Sequence, residues 1–460
     1  MKLKNNRISF YSAKNILAII TLVLTSFTSC DDFVDVDLPP DLINTEEVFS
    51  NEGSAQTAIK GIYAYTTNSN AISSMFKILG LSSDELEKAS YSEEETMFAT
   101  NTIGSNSSTI SNIWRGFYNI IYQCNNVVLN VSESTELSED TKKQLVGEVK
   151  FMRAFCYFYL VNLWGDVPLS LVTDYDVVRL LPRSSVAEVY AQIEADLLDA
   201  QSKLSGELYT TAGERIRANK WAATALLARV RLYQENWIDA EAQASAVINS
   251  GYYELEPLTN VFFATSRESI LQLANAGSNR YTYVQLTGST ITRPTYRLTP
   301  YIADYISSID ERRATWLTPT LDGPYKYKSY SNTRGPEEPE AANMLRLAEM
   351  YLIRAEARAQ QDNVIGLNSA ESDLNIIRSR SVLSGTTETT KTAMLQDIYI
   401  ERARELFGEW GHRWLDVKRT GQADVVFKSN KTGWVSEAAL YPIPFKDVQE
   451  NPNLTQNSGY

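Results

Sequence analysis

The sequence predicts a mainly α-helical scaffold of repeated helix–turn–helix units, with irregular loops and a few short strands. Three observations lead there. Long stretches place apolar residues at helical spacing, and two of them share a residue pattern at constant offset. The segments between switch abruptly to Tyr, Gly, Pro, Ser and Thr. With 43% hydrophobic and 22% charged residues, the 460-residue chain has the composition of a folded protein of one large or two smaller domains.

Residues 1–29 read as a signal peptide. Lys2, Lys4, Arg7 and Lys14 form a basic start with no acidic residue, and an apolar run from Ile16 to Leu24 follows. That run is shorter than the ~20 apolar residues of a spanning helix. Thr25-Ser26-Phe27-Thr28-Ser29 then leads into Cys30, in the manner of a bacterial lipoprotein signal whose cysteine becomes the lipidated first residue; Phe27 stands where the usual form has Leu. Losing the four cations takes the formal charge from −13 to −17, a surface that repels nucleic acid and anionic headgroups. Asp31, Asp32, Asp35 and Asp37 with Pro39-Pro40 make residues 30–45 an acidic, extended tether. The tether reads equally as a surface-export signal and as a solvated linker. Residues 46–460 are expected to form a single helical domain, with halves at 46–250 and 341–460 around a loop-rich insertion at 251–340.

Glu148 to Trp164 carries a dense apolar face, and Gly165-Asp166-Val167-Pro168 ends it. Cys124 and Cys156 lie in apolar helical stretches and read as free buried thiols. Ser185 with Glu188 forms a capping box opening the next helix. Lys220–Gln234 and Asp239–Asn249 form one helical pair, and Leu345–Gln361 and Ser369–Arg378 another. Ala228, Arg231, Gln234, Glu235 and Asn236 match Ala355, Arg358, Gln361, Asp362 and Asn363, as in tetratricopeptide-like repeats. Ser269–Leu273 and Tyr325–Tyr330 read as short strands, and Ser83–Ser111 as an irregular stretch rich in Ser, Asn and Glu.

Several motifs together resemble the SusD/RagB family of nutrient-binding outer-membrane lipoproteins, over nearly everything after Cys30. They are Arg153-Ala154-Phe155 through Gly165-Asp166-Val167-Pro168-Leu169, Lys220-Trp221-Ala222-Ala223 through Ala228-Arg229-Val230, and Arg346-Leu347-Ala348-Glu349 through Ala355-Glu356-Ala357-Arg358. Glu401-Arg402, Glu405-Leu406 and Arg413-Trp414-Leu415-Asp416-Val417-Lys418-Arg419 follow, with Tyr441-Pro442-Ile443-Pro444, Asn451-Pro452 and Gln456-Asn457-Ser458-Gly459-Tyr460 at the end. The resemblance implies four tetratricopeptide-like units and a SusC-like TonB-dependent outer-membrane barrel as partner. It also implies a surface position held by the lipid anchor, and an oligosaccharide ligand or, in some members, a peptide. It implies no catalysis and no cofactor.

The residues themselves argue against a catalytic or metal site. His412 is the only histidine, which excludes multi-histidine metal sites and leaves a triad a single, motif-bound candidate. No Walker-type phosphate loop appears. Among fifty-six acidic residues a carboxylate pair for glycoside hydrolysis carries no information. Arg153, Glu349, Arg402, Glu405, Arg413 and Asp416 read as interhelical ion pairs. A glycan-degrading enzyme and a helical scaffold that binds only protein are the competing classes.

Sugars offer apolar C–H faces and a rim of hydroxyls, which aromatic rings and Asn, Asp or Arg side chains match. The candidate ligand residues are Tyr91 and Asn101 in the early loop region, and Tyr281, Tyr283, Tyr296 and Trp316 in the later one. Tyr281 and Tyr283 follow the turn-forming Gly277-Ser278-Asn279, and Tyr296 follows Arg293-Pro294. Asp310-Glu311-Arg312, before Trp316, reads as the end of a packed helix.

Overall fold

Polar caps set where the helices begin. The computed structural model describes residues 48–207, 215–273, 294–328 and 340–460. Its first half holds α1 (Glu52–Asn68), α2 (Asn70–Ser82), the two-residue strand β1 (Leu86–Glu87), α3 (Glu93–Thr100), α4 (Ser108–Glu133) and α5 (Glu139–Trp164). The short α6 (Tyr175–Val178) and the longer α7 (Val186–Lys203), α8 (Lys220–Tyr233) and α9 (Trp237–Ile248) follow. Then come β2 (Ser269–Leu273), β3 (Arg297–Leu298), α10 (Pro300–Ala303), α11 (Glu311–Trp316) and β4 (Ala342–Arg346). The chain closes with α12 (Leu347–Gln360), α13 (Ala370–Arg380), α14 (Lys391–Leu406), α15 (His412–Arg419), α16 (Ala423–Asn430) and α17 (Phe445–Glu450). The Ser107, Ser138 and Ser185 hydroxyls and the Asn219 amide oxygen each accept a first-turn N–H, of α4, α5, α7 and α8 respectively, satisfying donors the helix cannot.

Helices α4, α5, α7, α8, α9 and α12 pack each against the next, and α13 and α14 close on α12. Small buried residues permit the close approach: Ala222, Ala225 and Ala228 in α8, Ala240 and Ala244 in α9, Ala348, Ala355 and Ala359 in α12. The repeated sequence pattern corresponds to a repeated turn. Glu235 and Asp362 both take the left-handed conformation, at φ 59° and 64°. Asn236 N–H then donates to Arg231 O and Asn363 N–H to Arg358 O, each at 2.9 Å, so both helices end in the same Schellman-type closure. Residues Phe49–Tyr460 form one compact unit.

Two short antiparallel pairs tie distant segments to the helices. β2 pairs with β4, Leu273 opposite Ala342 and Ser269 opposite Arg346. This pairing claims Leu345 and Arg346, which the sequence reading gave to the following helix. β1 pairs with β3, Leu86 opposite Leu298 and Glu87 opposite Arg297.

Other expectations are corrected too. Helix α5 starts at Glu139, nine residues before the apolar face on which it was read, because Ser138 caps it there. The stretch Ser83–Ser111 contains α3, opened by a capping box between Ser92 and Glu95. The described part of Tyr325–Tyr330, residues 325–328, forms no strand. There Lys326 turns its ammonium inward to Glu409 (2.6 Å) and the Glu405 carbonyl (2.7 Å), and Lys326 and Tyr327 are buried in succession, which breaks a strand's alternation.

Beneath β4 and α14 lies a buried ionic cluster. Arg346 reaches Glu268 (2.9 Å), Glu405 (2.6 Å) and Glu409 (2.8 Å), while Arg312 reaches Asp310 (2.8 Å), Glu401 (2.7 Å) and Glu405 (2.9 Å). Arg380 bridges Glu268 and Glu405. Residues expected to form interhelical ion pairs do so in Arg153 with Asp196, Arg229 with Glu349 and Arg402 with Asp416, whereas Arg413 pairs with Asp84 in the turn after α2, outside any helix. Cys124 and Cys156 are free and buried, and burial pushes the Cys124 thiol up to about 12.

Candidate functional site

The β1–β3 pair brings the early and late irregular regions to one place. Glu87 and Arg297 face each other across it and form an ion pair at 2.6 Å. The chain leaves β1 through Lys88, turns at Ala89-Ser90, and enters α3 through its capping box. There Glu95 accepts from the Ser92 backbone N–H (2.9 Å) while the Ser92 hydroxyl accepts from Glu95 N–H (3.2 Å).

That box fixes the Glu95 carboxylate where two further side chains converge on it. Lys88 Nζ donates to both its oxygens, at 3.1 and 2.9 Å, and the Tyr296 hydroxyl, arriving from the late region, donates to Oε1. Lys88 Nζ also lies 5.3 Å from the Tyr296 ring centroid, and the Lys88 backbone N–H donates to the Tyr91 hydroxyl at 3.1 Å. Burial favours the neutral carboxyl, but the hydrogen bonds from Tyr296, Ser92 and Lys88 outweigh it and hold Glu95 at about 2. Burial, and then the bond to Glu95, push the Tyr296 phenol up, so it stays a donor. Lys88 and Tyr91 are half-buried, and Ala89, Ser90 and Ser92 are exposed. The result is a rigid polar edge of fixed donors and acceptors with one ring accessible beside it.

The sequence candidates divide on this geometry. Tyr91 is at the edge and partly open, as a platform ring would be. Tyr296 belongs to the same cluster but is only 3% exposed, so it supports Glu95 and offers no ring face. Asn101 is 3% exposed; it caps α3 in the left-handed conformation (φ 57°), and its amide donates to Ser82 O at 3.1 Å. Trp316 is 1% exposed, its indole N–H donating to Leu258 O (2.9 Å) and its ring 4.7 Å from the Lys326 ammonium; it ends α11, whose N-cap is Asp310. Burial takes Asn101, Tyr296 and Trp316 out of the set that could touch a ligand directly. Cys30, Tyr281 and Tyr283 lie outside the described residues. Lys88, Glu95, Glu87 and Arg297 were missed, although Ser92-x-x-Glu95 carries the same capping-box signature that was read at Ser185.

His412 is buried, and burial pulls its imidazole down to about 4, so it is neutral near pH 7 and sits inside the helical core. Among the described residues no group of three or more His, Cys, Asp or Glu side chains is arranged to hold a metal, and no helix is long and apolar enough to cross a membrane.

The helical-repeat scaffold carries a polar, aromatic-flanked edge on irregular segments, and comparison with known proteins gives the class. Residues 32–232 match the SusD-like family model described as "Starch-binding associating with outer membrane", and residues 305–460 match the SusD family model. The chain belongs to the SusD/RagB family. Its relatives include the SusD-like protein P25 of Formosa agariphila, 25% identical over 97% of this chain and 99% of that one. The starch-binding protein SusD of Bacteroides thetaiotaomicron is 33% identical over 32% of this chain and 25% of its own. Among solved structures, a SusD-like protein of Bacteroides fragilis superposes with a TM-score of 0.76 at 22% identity, covering 90% of this chain and 98% of that one. A laminarin-binding SusD-like protein superposes with a TM-score of 0.74 at 23% identity, covering 89% and 100%. These likenesses show the fold.

Proposed function

We propose that this protein captures an oligosaccharide at the bacterial surface and delivers it to a TonB-dependent outer-membrane barrel, held in place by lipids on Cys30. The observation that carries the reading is the β1–β3 edge, where Lys88, Glu95 and the accessible Tyr91 ring hold fixed hydrogen-bonding groups beside an apolar face. Sugar hydroxyls both donate and accept, so a paired ammonium and carboxylate suit them, while the ring covers the C–H face. Tyr281 and Tyr283 join the proposed surface on sequence grounds. The names of two similar proteins, one starch-binding and one laminarin-binding, support a glucan-like ligand class. The role is recognition without turnover.

The test is calorimetric titration with maltohexaose, laminarihexaose, xylohexaose and mannohexaose. At least one should bind, and Tyr91→Ala should weaken it by tenfold or more, since a platform ring contributes about 2 kcal/mol, while the lost bond from Lys88 N–H lowers the melting temperature by only about 1 °C. Hydrolysis of the bound sugar, or binding of peptides in preference to all four, would overturn the reading. For the anchor, Cys30→Ala should lose its acyl label and leave the membrane fraction. Mild-detergent capture of the native protein should recover the barrel, and repeated recovery of the lipoprotein alone would count against that partner.

A further inference from the structure

A second concave site is lined by residues none of which belongs to the β1–β3 edge, and three segments build it. One wall is the N-terminal half of α4, where Arg115, Tyr118 and Asn119 share a face at helical spacing. The second is the stretch from Pro168 through α6, and the third is α17 with the turn after it. The volume between them is about 550 Å³, within the roughly 300–1,000 Å³ of small-ligand sites.

The walls are joined by side-chain to backbone hydrogen bonds. Tyr118 OH donates to Pro168 O (2.8 Å), and Asn125 Nδ2 donates to Ser170 O (3.1 Å) and Val172 O (3.3 Å), tying α4 to the second segment. Asn451 and Asn453 donate to Leu181 O (2.8 Å) and Leu180 O (2.7 Å), tying the third segment to the second. Arg183 adds Thr455 O (3.1 Å) and Asn457 Oδ1 (2.6 Å). The cavity is preformed, which lowers the ordering cost of filling it.

Its lining has two features that internal packing does not account for. Tyr175 is 76% exposed, and its ring stands 5.9 Å from the Arg179 guanidinium. A tyrosine left this open at a pocket mouth is an unused aromatic face. Opposite, Arg115 Nη2 stands 3.7 Å from Asp447 Oδ2, beyond hydrogen-bond length, and the Asp447 carboxylate has the Trp114 side chain as its other polar neighbour. The half-exposed Arg115 guanidinium can donate to a sugar hydroxyl, and the part of the Asp447 side chain that stays open beside it can accept from one. The exposed Asn119 beside them adds an amide.

We propose that this pocket is a second carbohydrate subsite, taking a neutral sugar ring against Tyr175 with its hydroxyls on Arg115, Asn119 and Asp447. The assignment rests on the oligosaccharide reading above. A charged ligand fits less well, because each pocket cation already has a carboxylate beside it: Asp447 by Arg115, and Asp176 by Arg179 at 3.0 Å. The exposed side chains nearby, Leu171, Val172, Val177 and Phe445, make a protein partner the alternative that the experiment must separate.

The full chain is labelled with 3-fluorotyrosine, and the fluorine resonances of Tyr175 and Tyr91 are identified from the single Phe variants. Maltohexaose, laminarihexaose, xylohexaose and mannohexaose are then titrated in. The Tyr175 resonance should shift with at least one sugar and still shift in the Tyr91→Ala variant. Asn119→Ala and Tyr175→Ala, both changes at exposed side chains, should weaken binding at this site by fivefold or more while leaving the melting temperature in place. A shift at Tyr91 with none at Tyr175 overturns the subsite and leaves the proposed function standing. No binding of any of the four at 20 mM overturns both. Tyr175→Ala abolishing barrel capture, with no sugar-induced shift at Tyr175, assigns the surface to a protein contact and refutes the subsite.

Discussion

Replacing Arg346 by Met tests whether the ionic cluster holds the scaffold. Met keeps much of the side-chain volume, so the effect is mainly one of charge. Arg346 reaches Glu268, Glu405 and Glu409, but each of them retains another cation: Arg380 for Glu268, Arg380 and Arg312 for Glu405, and Lys326 for Glu409. The substitution therefore leaves about one buried negative charge unbalanced. Breaking one buried pair costs about 3–5 kcal/mol. An unfolding entropy of roughly 2 cal/mol/K per residue, over the unit from Phe49 to Tyr460, gives about 0.9 kcal/mol/K. The melting temperature should thus fall by about 3–6 °C. The pH dependence follows from sign. In the parent, burial raises the Glu409 carboxyl but Arg346 and Lys326 hold it below its usual range, so that contribution is lost as pH falls. In the variant the cluster is one cation short, so burial outweighs the remaining attraction at one of its carboxylates, which moves above its unfolded value and is relieved by protonation. The gap between the proteins should narrow from pH 8 to pH 5. Calorimetry at both values checks this, with Lys428→Ala in an exposed pair as a control expected within about 0.5 kcal/mol. A fall below 1 °C, or a gap that widens toward pH 5, would refute the reasoning.

Three further outcomes follow from local geometry. Burial raises the Glu85 carboxyl to about 7, against the lowering effect of the Gly408 N–H bond (3.0 Å), so the folded state holds an extra proton between about pH 4.3 and 7 and stability falls as pH rises through that window; Glu85→Gln should flatten that part of the melting profile, and an unchanged slope would count against it. Asn101→Ala places alanine in the left-handed region and removes the bond to Ser82 O, costing about 2 kcal/mol in denaturant unfolding; sugar affinity should not change, and a loss of affinity would return Asn101 to the site. Ser92→Ala removes the hydroxyl half of the α3 capping box and should cost about 1 kcal/mol in denaturant unfolding; because the Ser92 backbone N–H, Lys88 and Tyr296 still hold the Glu95 carboxylate, titration should show sugar affinity unchanged, and a loss would refute that account.

What the sequence made legible was whatever is written locally and repeated. Ser185-x-x-Glu188 opens α7 as read, and Gly165 ends α5 at φ 74°, a conformation glycine tolerates best. The pattern shared by Ala228–Asn236 and Ala355–Asn363 survives as the same left-handed turn. The pairing of distant charges was not legible. Residue type marked Arg402 and Glu405 as ion-pair formers, but nothing near Glu405 in sequence points to Arg346 or Arg312. β1 and β3 have two residues each, too few to show alternation, so the junction that unites the early and late regions left no periodic trace. The reading of the binding surface looked for aromatics beside turns. Tyr296 had such a turn before it, yet it is buried under contacts made two hundred residues away, while Tyr91, chosen only for its place in an irregular stretch, stays partly open. Exposure is a tertiary property here, and it removed three of the four described candidates.

Charge pairing narrows what both surfaces can hold. The whole chain is strongly acidic, yet around the two proposed contacts each named cation stands beside a carboxylate: Lys88 with Glu95, Arg297 with Glu87, Arg115 with Asp447 and Arg179 with Asp176. An anionic glycan would bring its charge near four carboxylates as well as four cations and gain little net attraction, while losing hydration. A cationic peptide would be drawn to the chain as a whole by long-range attraction, without being oriented at either contact. A neutral sugar has hydroxyls that donate to the carboxylate and accept from the cation of one pair at once, and it has no charge to strip of water. These pairs thus favour a neutral oligosaccharide over both an acidic glycan and a peptide, and they do so through geometry that remains in place when salt screens the chain's overall charge.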